Sequence, residues 1–270
     1  MNELIAPVSF SGFDQTTKVY LVGAGGTGSA VLGQLFKLHK SLIATGGKGL
    51  SVTVFDPKKV TLTNVIRQGF WSESDVGYPK ATLAVNRFNQ FGGMNWSAIN
   101  EEYSPSRDLP DLLITTIDSA KGRLKIGRCL EALKEHAVSK DRLWLDIGNG
   151  SKSGNALIGS LTGYNSKTKT PSPYQLLAQQ WEEVDDSEIS KPSCSAIEAL
   201  AKQPLGINDA VSSLAQFMLL YPLFKNGKCQ HQGFYFDQEN FGYPIRHDSD
   251  TWAMYGFVPE TNHNDCIVVN

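Results

Sequence analysis

The chain is short of basic charge: 25 Lys and Arg stand against 27 Asp and Glu in 270 residues, a net charge of −2. That balance gives no field for duplex DNA or an anionic membrane, so neither nucleic acid nor membrane is expected as a partner. Cysteine is scarce as well. The four cysteines, Cys129, Cys194, Cys229 and Cys266, are far apart and form no Cys-x-x-Cys pair, which argues against a zinc knuckle and a disulfide framework alike. No stretch approaches the roughly 20 apolar residues that cross a bilayer. The opening MNELIAPVSF lacks a charged segment followed by an apolar one. The expectation is a cytoplasmic protein with free thiols and no internal repeat.

What is present is enough apolar residue to build a core, 41% of the chain. We expect one domain over 1–270, with a nucleotide-binding half at 18–150 and a second half at 151–270. Short apolar runs alternate with amphipathic ones. KVYLV (18–22) reads as a strand, and a glycine-rich turn leads from it into the helical spacing of SAVLGQLFKLHKSL (29–42). LSVTVF (50–55), DLLITTI (111–117) and RLWLDI (142–147) read as further strands, with KATLAVNRFNQF (80–91) and KGRLKIGRCLEALKEHA (121–137) as helices between them. Such alternation predicts an α/β fold, a Rossmann-like parallel sheet flanked by helices. Past Gly150 the character changes. NALIGSL (155–161) reads as a strand, the polar segment 164–193 as a long crossover loop, and SAIEALAKQ and INDAVSSLAQFMLLYPLF as helices. GFYFD (233–237) and TWAMYGF (251–257) are expected to extend the sheet as antiparallel strands.

GAGGTG (23–28) follows a strand and opens a helix. Gly23, Gly25, Gly26 and Gly28 in that position permit a tight turn and a close approach of backbone N–H groups to a phosphate. Alone, the pattern also suits simple helix–sheet packing. Asp56 ends the second strand, where an acid can accept from ribose hydroxyls, although Asp before Pro57 also suits a solvated turn. Beyond it, Asn64, Arg67 and Gln68, then Asp75, Gly77 and Lys80, read as groups gathered for a polyphosphate: a guanidinium for bidentate contact, an ammonium as a point charge, amides for positioning. Asp146 ends a buried strand, with a strand-end cap as its plainer reading. Cys129 sits on the apolar stripe of its helix.

At these residues the chain resembles the ThiF/MoeB/HesA group of ubiquitin-activating-type adenylating enzymes. The shared pattern is the GxGGxG turn, the acid at Asp56, V-x-x-x-N-x-x-R-Q over Val60 to Gln68, and G-x-x-K over Gly77 to Lys80. The resemblance covers about residues 18–225. It implies adenylation, with ATP and Mg²⁺, of the C-terminal glycine of a small ubiquitin-like protein. Arg67 and Lys80 would hold the triphosphate, Asn64 and Gln68 would orient oxygens near it, and Asp118 would carry Mg²⁺. Cys194, at the head of CSAIEALAKQ, would take the activated acyl group. A homodimer is implied too, in keeping with the long apolar helix after the crossover.

The departures are informative. No paired Cys-x-x-Cys occurs, so no zinc is expected, and Asp118 is followed by Ser119 where the group has Asn. The segment IAPVSFSGFDQTT lacks the Arg-bearing arm that reaches the phosphates in many members, leaving one phosphate cation missing. Two other readings stay open. An NAD-dependent oxidoreductase would use GAGGTG and Asp56 equally well but gives Arg67 and Lys80 no role. A non-catalytic module that binds a nucleotide or a ubiquitin-like protein would bind ATP without pyrophosphate exchange.

Overall fold

A computed structural model describes residues 3–11, 15–133, 141–165, 169–186 and 205–259. Its frame is set by four strands, β2 (Thr17–Val22), β3 (Leu50–Phe55), β5 (Leu112–Thr115) and β6 (Leu143–Asn149), with β4 (Ser97–Ile99) at the edge beyond β3. These five are mutually parallel. β7 (Ser153–Ser160), β9 (His231–Asp237) and β10 (Tyr243–Arg246) continue the same sheet antiparallel, giving eight strands in the order β10-β9-β7-β6-β5-β2-β3-β4. The expected α/β architecture, a parallel sheet with antiparallel extension, is therefore what the chain adopts. A separate two-stranded ribbon joins β1 (Leu4–Ile5) to β8 (Lys228–Cys229).

Both faces of the parallel half are covered, which is why the central β5 (LLIT) is buried at every position, while β2 and β3 nearer the edge still admit Lys18, Ser51 and Thr53. Leu112 and Ile114 of β5 turn into one core with Val19, Leu21, Val52 and Val54. Leu113, between them, turns into the other with Val22, Phe55 and Trp144. Helices α1 (Gly26–Ala44) and α3 (Lys80–Gly92) cover the first face, and α4 (Ala120–Ala132) and α5 (Pro173–Glu183) the second. The short helix α2 (Leu62–Arg67) sits in the connection between β3 and α3.

Register decides where a site can lie. β2 pairs with β3 on one side and β5 on the other, with Val22 opposite both Phe55 and Thr115. The chain leaves all three strands at one edge of the sheet. The strand order reverses about β2, and a crevice opens at the carboxyl ends of strands at such a switch point.

Several expectations for the second half need correction. The segment 164–193 contains α5, begun by a capping box in which the Ser172 hydroxyl accepts from Gln175 N and Gln175 Oε1 accepts from Ser172 N. Leu176 and Trp181 are the buried positions that hold this otherwise polar helix down. TWAMYGF is not a strand: Asp248 caps a helix, Ser249–Met254, by accepting from Thr251 N, and buries Trp252 against Tyr164 and His247. Tyr243–Arg246 takes the edge position beside β9 instead.

The apolar stripe from Ile207 runs through α6 (Ile207–Ala215), one π-helical turn (Gln216–Leu220) and α7 (Tyr221–Asn226). Val211, Ala215, Leu219 and Leu223 are spent inside this chain's own core, so the stripe no longer argues for a second copy. Asp146 is not a strand-end cap: it lies inside β6, nearly dry, and its Oδ1 accepts from Arg123 Nε at 2.8 Å. Cys129 is only half-buried and Cys229 is buried, both as free thiols. SAIEALAKQ lies outside the described residues.

Candidate active site

The crevice at the switch point is a cleft lined by Gly23, Gly25, Gly26, Thr27, Phe55, Asp56, Lys58, Gln68, Lys80, Tyr103 and Asp118, among others. The glycine turn shapes its floor. Gly23 has φ +100°, and a side chain there would meet Thr116 O at 3.0 Å. A Cβ on Gly28 would fall 2.0 Å from Gly23 O, so Gly28 is the packing glycine that lets the turn fold back on itself. At Gly25 the direction of a side chain is open, with no atom within 4 Å.

The three helix N-termini near the cleft are finished differently. α4 is closed by side chains: Ser119 Oγ accepts from Gly122 N, and Asp186 accepts from Ala120 N, Lys121 N and Ser119 Oγ. Burial pushes the Asp186 carboxyl up, but those hydrogen bonds and the Lys121 charge outweigh it and hold it below the usual carboxylate range. α3 begins at Lys80 behind Pro79. α1 has no side-chain cap at all, and its first residues, Gly26 and Thr27, line the cleft. First-turn N–H groups have no partner within their own helix. An anion therefore fits at α1, while α4 already carries a carboxylate.

Asp56 is 5% exposed. Its Oδ2 accepts from Ala24 N and its Oδ1 from Lys58 N, each at 2.7 Å, which ties the end of β3 to the glycine turn. A carboxylate has about four lone-pair sites, so two remain for further donors. Lys80 is 6% exposed, and its Nζ donates to Gln68 Oε1 at 3.0 Å beneath the Phe70 ring. The loop carrying it is stitched in antiparallel fashion: Lys80 N donates to Lys58 O, Val60 N to Tyr78 O and Gly77 N to Val60 O.

At the other end the lining turns apolar. Phe55 and Tyr103 pack edge to face at 5.0 Å, with Ile117 and Ile126 beside them. Burial holds the Tyr103 phenol well above its ordinary value, so it stays neutral. Lys125 Nζ meets Glu102 Oε2 at 3.3 Å on the rim. The cleft thus runs from an aromatic end, past a carboxylate, to a bare helix N-terminus and a buried ammonium.

The structure gathers most of the expected site residues and sets others apart. Gly23, Gly25, Gly26, Asp56, Gln68, Lys80 and Asp118 line the cleft. Gly28 lies beneath the turn. Asn64 does not line the cleft: it is buried, and its Oδ1 accepts from Thr61 N in the capping box that starts α2. Asp75 and Gly77 do not line it either. Asp75 is salt-bridged to Arg87 at 2.6 Å and accepts from Trp71 N, and Gly77 makes a turn at φ +88°. In this structure the polar groups of Asn64 and Asp75 are engaged in these local contacts. The Arg67 side chain and Cys194 lie outside the described residues.

Lys58, Thr27 and Tyr103 were missed. Lys58 had a signal, standing two residues beyond a strand-end acid. Thr27 was written inside the glycine turn, and its hydroxyl donates to Asn208 Oδ1 or Asn149 Oδ1, at 2.9 and 2.8 Å. Tyr103 follows a three-residue edge strand that leaves little apolar pattern to read.

Among the described residues no group of three or more His, Cys, Asp or Glu could hold a metal ion, and no helix is long and apolar enough to cross a membrane. The exposed carboxylate of Asp118 is a hard oxygen donor in the cleft. That donor set suits a Mg²⁺ ion sharing its shell with phosphate and water, not a protein-only cage.

Comparison with known proteins gives the following. No curated protein matches the sequence. A structure of PaaA aligns with a TM-score of 0.56 at 15% identity, covering 88% of this chain and 66% of PaaA. Escherichia coli MccB determined with ATP aligns at 0.55 and 15%, covering 89% of this chain and 66% of MccB. The Microcin C7 biosynthetic enzyme MccB in complex with N-formylated MccA aligns at 0.53 and 15%, covering 89% and 67%. At that identity the likeness is one of fold, and this chain spans just under two thirds of the PaaA chain and of MccB with ATP. The profile of the ThiF family matches residues 14–141, the stretch that holds the glycine turn, Asp56, Gln68, Lys80 and Asp118. The match to the ThiF family thus covers residues 14–141, just under half of the chain.

Proposed function

We propose that the chain loads a carboxylate with AMP from ATP, the carboxylate being the C-terminal glycine of a small ubiquitin-like protein. The observation that carries this reading is the meeting in one cleft of the glycine turn, Asp56, Gln68, Lys80 and Asp118. The match to the ThiF family over 14–141 supports it, as does the shared fold with MccB, whose structures include ones with ATP and with MccA.

The base lies between Phe55, Tyr103 and Ile126, and the ribose hydroxyls donate to Asp56. The α-phosphate lies over the bare first turn of α1 with the outer phosphates towards Lys80. An attacking carboxylate is already anionic, so no general base is required. Its oxygen bonds to the α-phosphorus as the bond to the bridging oxygen breaks, releasing pyrophosphate and leaving an acyl-adenylate. Two anions must meet, so the protein contributes positioning and charge stabilisation more than proton transfer. Asp118 would hold Mg²⁺, which when bound neutralises phosphate charge. Arg67 joins Lys80 on the phosphates in this reading, and the Cys194 thiolate then attacks the acyl carbon of the adenylate, forming a thioester as the bond to the phosphate oxygen breaks and AMP leaves. The protein works as a cytoplasmic homodimer, again by resemblance.

The test is ATP–pyrophosphate exchange with candidate proteins ending in glycine. Exchange that needs both ATP and the glycine-ended partner is expected. ATP binding without exchange under any such partner would favour a binding module. A fluorescence response to NADH but none to ATP would favour an oxidoreductase.

A further inference from the structure

The cleft is lined by three lysines, Lys58, Lys80 and Lys125, and three acids, Asp56, Glu102 and Asp118. Two of the lysines are engaged, Lys125 with Glu102 and Lys80 with Gln68. Lys58 is exposed and has no side-chain partner among the described residues. Its backbone, however, is held at both ends. Its N–H donates to Asp56 Oδ1 at 2.7 Å, and its carbonyl accepts from Lys80 N at 3.0 Å. Lys59 and Pro79 form the next bridge of the same short antiparallel pairing. The two lysines therefore leave directly bonded backbone units at the rim of one cleft, just past the ribose acid.

A triphosphate carries several negative charges, more than one ammonium balances. We propose that Lys58 is a further phosphate cation of this cleft, acting with Lys80 on the outer phosphates of a nucleoside triphosphate. The inference rests on the nucleotide reading above. A side chain with a fixed root and no competing partner among the described residues can swing onto a phosphate without breaking an ion pair among them. As a long, strongly hydrated point charge it suits that task. It would also fill the place of the cation that the N-terminal segment lacks.

Calorimetric titration of the full chain with ATP, AMP and adenosine tests this, using the unaltered protein, Lys58→Ala and Lys58→Arg. Lys58→Ala should weaken ATP by about 10-fold, AMP by no more than about 2-fold and adenosine not at all, since a charge-assisted contact to phosphate is all that is lost. Lys58→Arg should restore most of the ATP affinity, and the salt dependence of ATP binding should flatten in Lys58→Ala. Unchanged ATP affinity in Lys58→Ala, or an equal loss for all three ligands, would overturn the role of Lys58 while leaving the nucleotide site standing. If the unaltered protein bound none of the three, the nucleotide reading would fall and this inference with it.

Discussion

Replacing Lys80 with alanine should lower ATP-dependent turnover by about 10²- to 10³-fold, the loss that follows removal of one preorganised donor from a developing charge. Lysine is almost never buried unless it is paired, because its ammonium loses several kcal/mol of hydration. Here the Lys80 side chain reaches Gln68 at 3.0 Å in a nearly dry setting. An ammonium held there acts through a low local dielectric, which is where one charge has most effect on a phosphate. Lys80→Arg should not rescue activity, because a planar guanidinium does not reproduce the compact point charge that meets Gln68 beside Phe70. The measurement is kcat and KM for ATP, with circular dichroism to show that the fold is kept. A loss below about 3-fold would count against a phosphate role.

The second large effect concerns stability. Asp146→Ala should cost about 3–5 kcal/mol, the range for removing one partner of a buried ion pair. Arg123 would then keep its guanidinium inside with only Ile147 O as a described acceptor, at 3.0 Å. Asp146 also accepts from Thr115 Oγ1, which in turn accepts from Trp144 Nε1, so the substitution loosens α4, β5 and β6 together. Against a total stability of about 5–15 kcal/mol the loss is large. The melting temperature should fall by about 10 °C. The double variant Asp146→Leu with Arg123→Met should recover most of it, since an apolar pair of similar volume leaves no buried charge. A shift below about 2 °C for Asp146→Ala would show that water reaches the guanidinium.

The half over 18–150 was legible because its local signals agree with its tertiary fate. β2, β3, β5 and β6 are apolar runs bounded by turn residues, and a parallel sheet buried on both faces demands such runs. The glycine turn was legible for a steric reason that the structure makes explicit at Gly28, where 2.0 Å leaves no room for a Cβ. α5 was hidden by composition, its few apolar positions standing among polar ones, although Ser172 and Gln175 spelled out a capping box. Ser249–Met254 was misread as strand because Trp252, Tyr255 and Phe257 suggest alternation. The Asp248 cap and the burial of Trp252 decided otherwise.

The site was legible unevenly for a related cause. Asp56, Gln68 and Lys80 sit where the register of β2 and β3 and the pairing of 58–60 with 77–80 carry them. Asn64 and Asp75 have residue types as suitable for phosphate. A polar side chain within reach of a free backbone N–H or an arginine is taken by it, and Thr61 N and Arg87 took these two. Residue type proposed the candidates, and local hydrogen bonding selected among them.

The most direct test of the central claim is a crystal structure of the protein with ATP and Mg²⁺. The account predicts the phosphates within hydrogen-bonding distance of the first-turn N–H groups of α1 and of Lys80 Nζ, with a ribose hydroxyl donating to Asp56. A nucleotide bound elsewhere, with Lys80 still on Gln68 and the first turn of α1 facing water, would contradict it.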